Sequence, residues 1–358
     1  MNNLKSILIF IPSLTYGGAE ISMSRLADIF SKRGIKVYLV IAKQKSNQDI
    51  FIENKEIKIF YLNSKKTIYS FFKLKNIIND LKPDLLLSTL PTPNFMISLL
   101  KFLKLTNSRV VVREAYANYL FWNKNIFSRL NKRMAIFAFK NADGNIFISN
   151  ELKRGVNKYI KNRNTTVIYN PVFTKDFFKR SEEKVADFIK KKKLWVTCSR
   201  IDEQKGLDIL FDAISEIKID YEYELLVLGK GNKLKEYKKT YNKLPIIFHG
   251  NVSNPIKYIK LADLFIFPSR AEGLGNSLIE AQILGTPIIT SDCSAGPKEI
   301  VEMFSNGELF ESGNKEDLKE KLLNFNYRKH NKNQPTVNLE FDVDIVGDKY
   351  LDFFDKLL

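Results

Sequence analysis

The chain has 358 residues, which is long for one domain and sufficient for two. Hydrophobic residues make up 44% of it, so each half can bury a core. The two cysteines are Cys198 and Cys293, and the two histidines are His249 and His330. So few of these residues leave little material for a zinc site or a histidine-based triad, and two cysteines suit a reducing compartment.

The positive charge is confined to the first half. Residues 1–170 contain 28 Lys and Arg against 10 Asp and Glu, whereas the remainder contains 29 against 30. The net charge of +17 therefore comes from the first half. Such asymmetry favours an anionic partner: a lipid surface, a phosphate-bearing acceptor or nucleic acid. The alternative is a lysine-rich composition that only covers a solvated surface.

Neither a signal peptide nor a membrane span is expected. The apolar run Ile7–Ile11 is shorter than the hydrophobic region of a secretory signal and better fits a buried first strand. The longest candidate span, Leu85–Leu105, is interrupted by Pro91, Pro93 and Lys101, whereas a span needs about 18 uninterrupted apolar residues. We therefore expect a protein that does not cross a membrane.

In the first half, short apolar runs alternate with amphipathic stretches, the pattern of a parallel α/β sheet. The chain begins with a strand, a glycine turn and a helix that Gly34 ends. Asn170-Pro171 and the polar residues up to Lys193 indicate a linker. The predicted elements are the strand Ser6–Ile11, the helix Ala19–Arg33, and the strands Lys36–Ala42, Leu85–Ser88, Val110–Val112 and Asn145–Ile148.

The second half repeats this pattern. A final amphipathic stretch, Asp342–Leu358, is predicted to be a helix. Two α/β domains of this kind bind ligands at the carboxyl ends of their strands. The predicted elements are the strands Leu194–Cys198, Tyr223–Leu228, Ile246–Phe248, Leu264–Phe267 and Pro287–Thr290, and the helices Leu207–Ile217 and Asn276–Leu284.

The most informative segment runs from Pro268 to Glu280. A strand ends, a glycine-rich turn follows, and a helix begins near Asn276. The N–H groups and the positive dipole end of such a helix form an anion site suited to a diphosphate. Glu272 stands at the strand end, and Glu280 lies on the helix, where its carboxylate can accept hydrogen bonds from ribose hydroxyls. The alternative is an ordinary turn with two surface glutamates.

Two further segments follow strands in the same way. Arg200 comes directly after the strand Leu194–Cys198, and Lys205 comes just before the next helix. Two cations at a strand end can neutralise a diphosphate as it leaves. Because the chain has many basic residues, an Arg and a Lys five positions apart carry little information on their own. Tyr16-Gly17-Gly18 follows the first strand, where glycine permits close approach of a ligand to the backbone. Gly229 belongs to a turn without a full dinucleotide fingerprint, and we interpret it as lining a cleft between the two α/β domains.

Taken together, these segments resemble family 4 of the retaining glycosyltransferases. That family has the GT-B fold, in which two Rossmann-like α/β domains face each other across a cleft. The resemblance covers nearly the whole chain in order. It rests on Gly17-Gly18-Ala19-Glu20, Arg200 with Lys205-Gly206, Gly250-Asn251-Val252, Leu261-Ala262-Asp263, Phe267-Pro268-Ser269, the E-x7-E pair Glu272 and Glu280, Gly285-Thr286-Pro287 and Gly296–Glu299.

The resemblance implies the domains and their tasks. Residues 1–172 would form an acceptor-binding domain, joined by a C-terminal helix, 342–358, that crosses back to it. Residues 173–341 would bind the nucleotide sugar. The donor would be a nucleotide-diphosphate hexose or N-acetylhexosamine, with UDP favoured. The acceptor would be a glycan or a polyprenyl-diphosphate-linked glycan, as in O-antigen or capsule assembly.

The resemblance also implies roles for individual residues. Arg200 and Lys205 would hold the β-phosphate, Glu272 the donor hexose and Glu280 the ribose, with Glu272, Arg200 and Lys205 as the catalytic set. The acceptor hydroxyl would attack from the front face, with retention, and lose its proton towards the leaving phosphate. No metal and no cofactor are expected. The donor-binding residues would be Gly17, Gly18, Arg200, Lys205, Gly229, Asn251, Val252, Glu272, Gly273, Leu274, Gly275, Asn276 and Glu280.

Two details qualify the match. Many family members carry a histidine after the glutamate of the segment Arg113-Glu114-Ala115, and here Ala115 takes that place. Glu114 is left as the candidate for contact with the acceptor or the donor sugar. The tail contains Asp342-Val343-Asp344, a D-x-D sequence away from any strand end. We interpret it as the N-terminal charge of the last helix and not as a metal site.

The basic first half also suggests a place for the protein in the cell. Phe121–Lys140 mixes aromatic, aliphatic and basic residues and fits either a bilayer interface or a core helix with solvated lysines. Thr67–Leu81 has a weaker form of the same mixture. We expect a cytoplasmic protein bound peripherally to the inner face of an anionic membrane.

Two other functions are compatible with parts of the sequence. The basic half would suit a nucleic-acid-binding protein, but its Arg and Lys are scattered and no recognised module is present, so nucleic acid is not an expected partner. A non-catalytic subunit that binds a sugar nucleotide would carry the same motifs as an enzyme. The presence of Arg200, Lys205, Glu272 and Glu280 together favours the enzyme.

Overall fold

The chain divides into two compact units. A computed structural model describes residues 4–15, 17–45, 52, 54–115, 126–160, 164–185, 192–293, 296–326 and 334–358. Unit 1 comprises Met1–Val172 and Leu339–Leu358, and unit 2 comprises Phe173–Asn338. The division expected from the sequence differs from this one at residues 339–341, which belong to unit 1.

Unit 1 is built on a parallel sheet whose strand order is β3-β2-β1-β4-β5-β6-β7. The central strands are continuous apolar runs, as expected for strands that are covered on both faces. The described strands are β1 Ser6–Ile11, β2 Lys36–Ile41, β3 Lys58–Tyr61, β4 Leu85–Thr89, β5 Arg109–Glu114, β6 Gly144–Phe147 and β7 Asn164–Val167. The helices that follow them are α1 Gly18–Lys32, α2 Phe71–Leu81, α3 Pro91–Phe102, α4 Ile126–Asn141 and α5 Asn150–Asn157.

Unit 2 has a second parallel sheet with the order β10-β9-β8-β11-β12-β13. Its core contains Trp195, Phe211 and Ile266, all without exposed surface. The strands are β8 Lys193–Cys198, β9 Tyr223–Leu228, β10 Ile246–Gly250, β11 Leu264–Phe267, β12 Ile288–Ser291 and β13 Glu308–Phe310. The helices are α6 Phe177–Ser181, α7 Leu207–Glu216, α8 Leu234–Thr240, α9 Ile256–Leu261, α10 Asn276–Ile283, α11 Pro297–Phe304 and α12 Lys315–Leu323.

Each sheet reverses its strand order beside its first strand. The reversal lies between β1 and β4 in unit 1, and between β8 and β11 in unit 2. The loops that leave two such strands diverge to opposite faces of the sheet, which opens a crevice at their carboxyl ends. In unit 2 the loops that flank this crevice begin at Ser199 and at Pro268.

The last helix, α13 Val343–Asp355, packs on unit 1, as the family resemblance implied. Asp342 caps it, because its Oδ1 accepts hydrogen bonds from the N–H groups of Asp344 and Ile345 at 2.9 and 3.1 Å. The D-x-D sequence therefore forms a helix cap, as interpreted. Gly347 faces α1, where an added Cβ would lie 2.3 Å from Ile29 Cγ2.

A fully buried arginine joins this helix to the sheet. Arg113 Nε donates to Tyr350 Oη at 3.0 Å, Nη1 to Thr89 Oγ1 at 3.2 Å, and Nη2 to Asn170 Oδ1 at 2.5 Å. A buried guanidinium needs such partners because desolvation of its charge is costly. Burial raises the pKa of Tyr350, against the opposing charge of Arg113, so the phenol stays protonated.

The segment predicted either for a bilayer interface or for a core lies partly in α4. Residues 121–125 fall outside the described part of the chain. Along α4, Ala135, Ala138 and Phe139 are buried, and the Phe137 ring lies 5.3 Å from that of Phe95 on α3. The C-terminal half of α4 is thus core packing. None of the helices among the described residues is long and apolar enough to cross a membrane.

The Arg113 network yields a stability prediction. Tyr350→Phe removes the acceptor of Arg113 Nε in a dry environment, so we expect a loss of about 1–3 kcal/mol in the free energy of unfolding. Tyr69→Phe makes the same chemical change at a side chain that is 66% exposed and should cost less than about 0.5 kcal/mol. Urea unfolding of both variants measures this. Equal stability of the two would show that the buried hydrogen bond contributes nothing.

Candidate functional site

At the carboxyl edge of the unit 2 sheet, the loops after β8 and β11 meet through an ion pair. Lys205 Nζ contacts Glu272 Oε1, which also accepts a hydrogen bond from Ser269 Oγ at 2.8 Å. The two charged side chains are only 12% and 9% exposed. A pair this sheltered from solvent is weakly screened and holds both loops in a fixed geometry.

A glycine allows the two loops to come so close. Gly206, the residue after Lys205, has φ +63°, and an added Cβ would lie 2.0 Å from the carbonyl oxygen of Pro268. Any other residue would therefore clash with the backbone of the opposite loop and strain its own. In the Lys205-Gly206 dipeptide, Lys205 supplies the cation, and Gly206 permits the close approach of the loops that brings this cation to Glu272.

A second set of contacts fastens the same two loops. Arg270 makes a bidentate ion pair with Asp208 on the first turn of α7, with N···O distances of 2.7 and 2.6 Å. Arg270 N donates to Gln204 O at 2.8 Å, and Gln204 Nε2 returns a hydrogen bond of 2.8 Å to Ala271 O. We call this arrangement the Arg270 clasp. It fixes residues on both sides of Lys205 and the two residues that precede Glu272.

Arg200 occupies a different environment from Lys205. Its side chain is 61% exposed, and its Nη2 lies 3.4 Å both from Asp202 Oδ2 and from Gln204 Oε1. These long contacts keep the guanidinium over the loop without burying it. The arrangement pairs one sheltered cation, Lys205, with one exposed cation that can reorient at low cost.

The glycine-rich turn leads directly into α10. Gly275, with φ +85°, is the N-cap, and Asn276 is the first helical residue. The start of the helix abuts β8, because Ser277 Oγ donates to Cys198 O at 3.0 Å. Gly296 packs on the turn from the other side, where an added Cβ would lie 2.5 Å from Leu274 Cα. Gly275 is thus required by its backbone conformation, and Gly296 is required by close packing.

Glu280 lies on α10 and is buried, with an exposed fraction of 8%. Burial raises the pKa of Cys198 to about 12, with a further contribution from the charge of Glu280 and an opposing one from Lys205. Burial also raises the pKa of Cys293 to about 12, aided by Glu272. Both thiols therefore stay protonated at neutral pH, and the charged groups that act on them are the two glutamates, Lys205 and, for Cys293, Asp292.

The remaining predicted residues of unit 2 line the same edge of the sheet. Gly229 has φ +144°, and its added Cβ would lie 1.9 Å from Ser199 O, so the loop packing alone requires glycine there. Its N–H donates to Gly250 O at 2.7 Å. Asn251 and Val252 follow β10, the outer strand of this sheet, farther from the ion pair in strand order.

Three predicted residues belong to unit 1. Gly17 is the N-cap of α1 and Gly18 its first residue, both after the carboxyl end of β1. Glu114 ends β5 and is fully buried, so direct contact with an acceptor requires the residues that cover it to move. The contacts reported above involve unit 2 residues alone. Tyr16 and residues 294–295 lie outside the described part of the chain.

Several residues of the site were not singled out from the sequence. Ser269 directly contacts Glu272, and Gln204, Asp208 and Arg270 form the clasp. Ser269 and Arg270 lie in the segment Pro268–Glu280. The only sequence signal for their roles is that they come within three residues of Glu272. The Arg270–Asp208 pair spans 62 residues, and nothing in a single sequence signals it.

Among the residues that the structure describes, no three His, Cys, Asp or Glu side chains lie together in a way that could hold a metal ion.

The clasp makes the stability of unit 2 sensitive to acid. Although burial raises the pKa of Asp208, the hydrogen bond and charge of Arg270 outweigh it and hold that pKa below its ordinary value. The stabilisation is thus present above about pH 4 and is lost as the pH falls through the folded-state pKa. We expect Asp208→Asn to cost about 1–2 kcal/mol at pH 7, and the difference from wild type to shrink below pH 4. Thermal unfolding between pH 3 and pH 7 measures it.

Asp220→Asn, at an exposed position of the same unit, is the control and should leave stability unchanged at every pH. A difference between wild type and Asp208→Asn that stays constant down to pH 3 would contradict the assigned ion pair.

Solved structures of other proteins superimpose on nearly the whole chain. Sucrose-phosphate synthase from Thermosynechococcus elongatus superimposes with a TM-score of 0.80 over 99% of both chains at 16% identity. The Anabaena protein HepE in complex with UDP superimposes with a TM-score of 0.73, over 98% of this chain and 96% of that one, at 18% identity. At these identities the likeness shows the fold, and it confirms the predicted GT-B class.

Sequence comparisons agree with the fold. A Campylobacter jejuni protein is 26% identical over 336 residues, which is 88% of each chain. It is named N-acetylgalactosamine-N,N'-diacetylbacillosaminyl-diphospho-undecaprenol 4-alpha-N-acetylgalactosaminyltransferase. The sequence model "Glycosyltransferase Family 4" matches residues 16–176, and "Glycosyl transferases group 1" matches residues 178–333. Since these two matches together span nearly all of the chain, the protein belongs to the family 4 glycosyltransferases.

Proposed function

We propose that the protein transfers a hexose or N-acetylhexosamine from a UDP donor to a glycan or polyprenyl-diphosphate-linked acceptor in surface polysaccharide assembly. The observation that carries this proposal is the Lys205–Glu272 pair, which joins the loops after β8 and β11 at the crevice of the unit 2 sheet, with Glu272 four residues before α10. The named activity of the Campylobacter jejuni relative, which acts on an undecaprenyl diphosphate, supports the acceptor class. The UDP complex of the Anabaena protein supports the base.

The charges of the site suit a diphosphate. Arg200 and Lys205 bring two cations to the carboxyl end of β8, and the N–H groups at the start of α10 add the positive end of a helix dipole. As the bond to the sugar breaks, negative charge grows on the β-phosphate, and fixed cations stabilise that charge without reorganisation. This supports a reaction without a metal, in which Arg200, Lys205 and the amides of residues 273–276 hold the leaving group.

The two glutamates are placed for different parts of the donor. Glu272 lies at the strand end, and Lys205 and Ser269 orient its Oε1. We assign Glu272 to the hexose hydroxyls. Glu280 is on the second turn of α10, beyond the glycine turn, and we assign it to the ribose hydroxyls. A carboxylate accepts hydrogen bonds from such hydroxyls strongly when it is ionised.

The proposed reaction retains the anomeric configuration. The acceptor hydroxyl attacks the anomeric carbon on the face from which the diphosphate leaves. One carbon–oxygen bond breaks as the glycosidic bond forms, and the hydroxyl proton passes to the leaving phosphate oxygen. In this scheme Glu272 acts as a binding group and not as a covalent nucleophile, which agrees with its ion pair to Lys205.

The first half of the chain is proposed to receive the acceptor at a membrane. Its 28 basic residues against 10 acidic ones favour phosphate-bearing or lipid partners. Peripheral attachment on the cytoplasmic face would place the protein where nucleotide sugars and lipid-linked glycans meet. Gly17 and Gly18, at the carboxyl end of β1, are also proposed to bind the donor.

A binding test examines the donor site without metal. We expect UDP in EDTA to raise the melting temperature of the full chain by several degrees, because Arg200, Lys205 and backbone amides meet the phosphate charge. Lys205→Ala should abolish most of this shift, whereas Lys235→Ala, at an exposed position of α8, should retain it. Differential scanning fluorimetry with UDP, GDP and ADP measures the effect. A shift that appears only with Mg2+ or Mn2+ would contradict the metal-free site.

The glutamate assignments predict different kinetic defects. Glu280→Gln should weaken UDP binding on the order of tenfold with little change in kcat, because it removes charge from a ribose acceptor. Glu272→Gln should lower kcat on the order of 100-fold with a smaller change in UDP affinity, since it acts where bonds change. Calorimetric titration with UDP and kinetics of UDP release measure the two effects. Equal losses of UDP affinity in both variants would contradict the assignment.

The same kinetics distinguish an enzyme from a non-catalytic binding subunit. A binding subunit would show the UDP-induced thermal shift without release of UDP from any UDP-sugar, with or without acceptor. We expect slow hydrolysis of the correct donor in the absence of acceptor and a faster release when lipid-linked acceptor is added.

A further inference from the structure

The 3-10 turn Thr67–Ser70 and the first residues of α2, which follows it, carry large apolar side chains that face solvent. The side chains of Ile68, Tyr69 and Phe72 are 39%, 66% and 73% exposed. Phe72 is the most exposed large hydrophobic residue among those the structure describes. The same helix buries Leu74 and Ile78 against unit 1, so its inner face is already occupied. The exposed residues therefore form a separate, outward-facing apolar surface.

Lysines surround these side chains. Lys65 and Lys66 precede them and are exposed, and Lys73 follows them and donates from Nζ to Leu62 O at 2.7 Å. The loop after β2 adds exposed Lys43 and Lys45. The loop after β2 lies beside the loop after β3, because Ser64 N donates to Ala42 O at 3.0 Å. The sequence has no Asp or Glu between residues 58 and 79.

We call these residues the α2 surface: Ile68, Tyr69 and Phe72 with Lys43, Lys45, Lys65, Lys66 and Lys73. Its place in the fold is set by the parallel sheet. Strand β3 ends at Tyr61 on the carboxyl edge, and the surface follows within a few residues, before α2 runs back towards the start of β4. The α2 surface therefore lies at the carboxyl edge of unit 1, the edge at which ligands of such sheets bind.

We propose that the α2 surface docks the protein on an anionic lipid bilayer. Aromatic rings with a polar or cationic rim fit the boundary between headgroups and acyl chains, and clustered lysines are attracted to anionic headgroups. Tyr69 combines both features, with Lys66 Nζ 5.9 Å from its ring centroid. This inference rests on the proposed function, since a lipid-linked acceptor has to be reached from a membrane.

Charge complementarity selects a bilayer over a second copy of the chain. In a two-fold symmetric dimer through the α2 surface, each lysine cluster would face its own counterpart. Facing like charges are unfavourable unless other groups compensate them, and no acidic residue occurs in the segment 58–79 that forms most of this surface. An anionic headgroup layer carries the charge opposite to that of these lysines, and its boundary with the acyl chains accepts apolar side chains.

The proposal assigns docking to α2 and not to the segment 121–140, which the sequence favoured. The described part of that segment buries Ala135, Ala138 and Phe139 in the unit 1 core. Leu130 near the start of α4 is 53% exposed, but the apolar residues of its C-terminal half are committed to packing, whereas those of the α2 surface face outward. Thr67–Leu81, which showed the same mixture of residues more weakly in the sequence, is the segment whose apolar side chains are more exposed.

Sedimentation of the full-length protein with vesicles tests the proposal. The vesicles contain either phosphatidylcholine alone or a phosphatidylcholine–phosphatidylglycerol mixture, at low and at high salt. The variants are Tyr69→Ser/Phe72→Ser and Lys65→Glu/Lys66→Glu. The controls are Leu103→Ser, an exposed apolar residue elsewhere in unit 1, and Lys235→Glu/Lys239→Glu on α8.

We expect wild type and both controls to bind the anionic vesicles at low salt and to be released at high salt. Both α2-surface variants should partition on the order of tenfold more weakly. Wild type that stays in the supernatant with anionic vesicles, or α2-surface variants that bind like wild type, would overturn the proposal. So would a wild-type dimer in light scattering that the two variants dissociate, because the surface would then be an interface between copies.

The thermal shift with UDP separates this inference from the proposed function. The α2-surface variants should keep the wild-type shift, which also shows that they are folded. Loss of vesicle binding with the shift retained supports membrane docking by this surface. Wild type that binds anionic vesicles through the α2 surface but shows no shift with any nucleoside diphosphate would refute the donor site and leave the docking surface in place.

Discussion

The contact between Lys205 and Glu272 joins two loops that leave neighbouring strands at the point where the unit 2 sheet reverses its order. Further contacts at this edge hold the two loops together. Gly206 permits the approach, and Arg270 with Asp208 fastens the flanking residues. The pair is sheltered, so its geometry is fixed before a ligand arrives, which is the condition under which charges stabilise a developing anion most effectively.

Much of this fold could be predicted because its information is local. Strands covered on both faces are continuous apolar runs, so Ser6–Ile11 and Leu264–Phe267 were predicted with the bounds that the structure has. The last helix could be placed at Asp342 because a capping aspartate acts within three residues. The predicted motif residues of unit 2 lie at the carboxyl edge of one sheet, since the position of a loop after a parallel strand follows from the order of elements.

The features that were missed depend on distant partners or on weak local signals. Strand β7, Asn164–Val167, is polar and half-buried, and only its pairing with β6 makes it a strand. Arg113 is a charged residue that the sequence alone would place at the surface, but oxygens from β4, the linker and α13 surround it. Whether an apolar residue of α2 or α4 faces solvent likewise depends on which helices pack against it, which periodicity does not reveal.

The central claim is that the crevice between β8 and β11 binds the diphosphate of the donor. A crystal structure of the full chain with UDP tests it most directly. The account predicts that the β-phosphate lies within hydrogen-bond distance of Arg200 and Lys205 and of amides in residues 273–276, with the ribose at Glu280. A diphosphate bound at any other edge of either sheet, or one held through a metal ion without these side chains, would contradict the account.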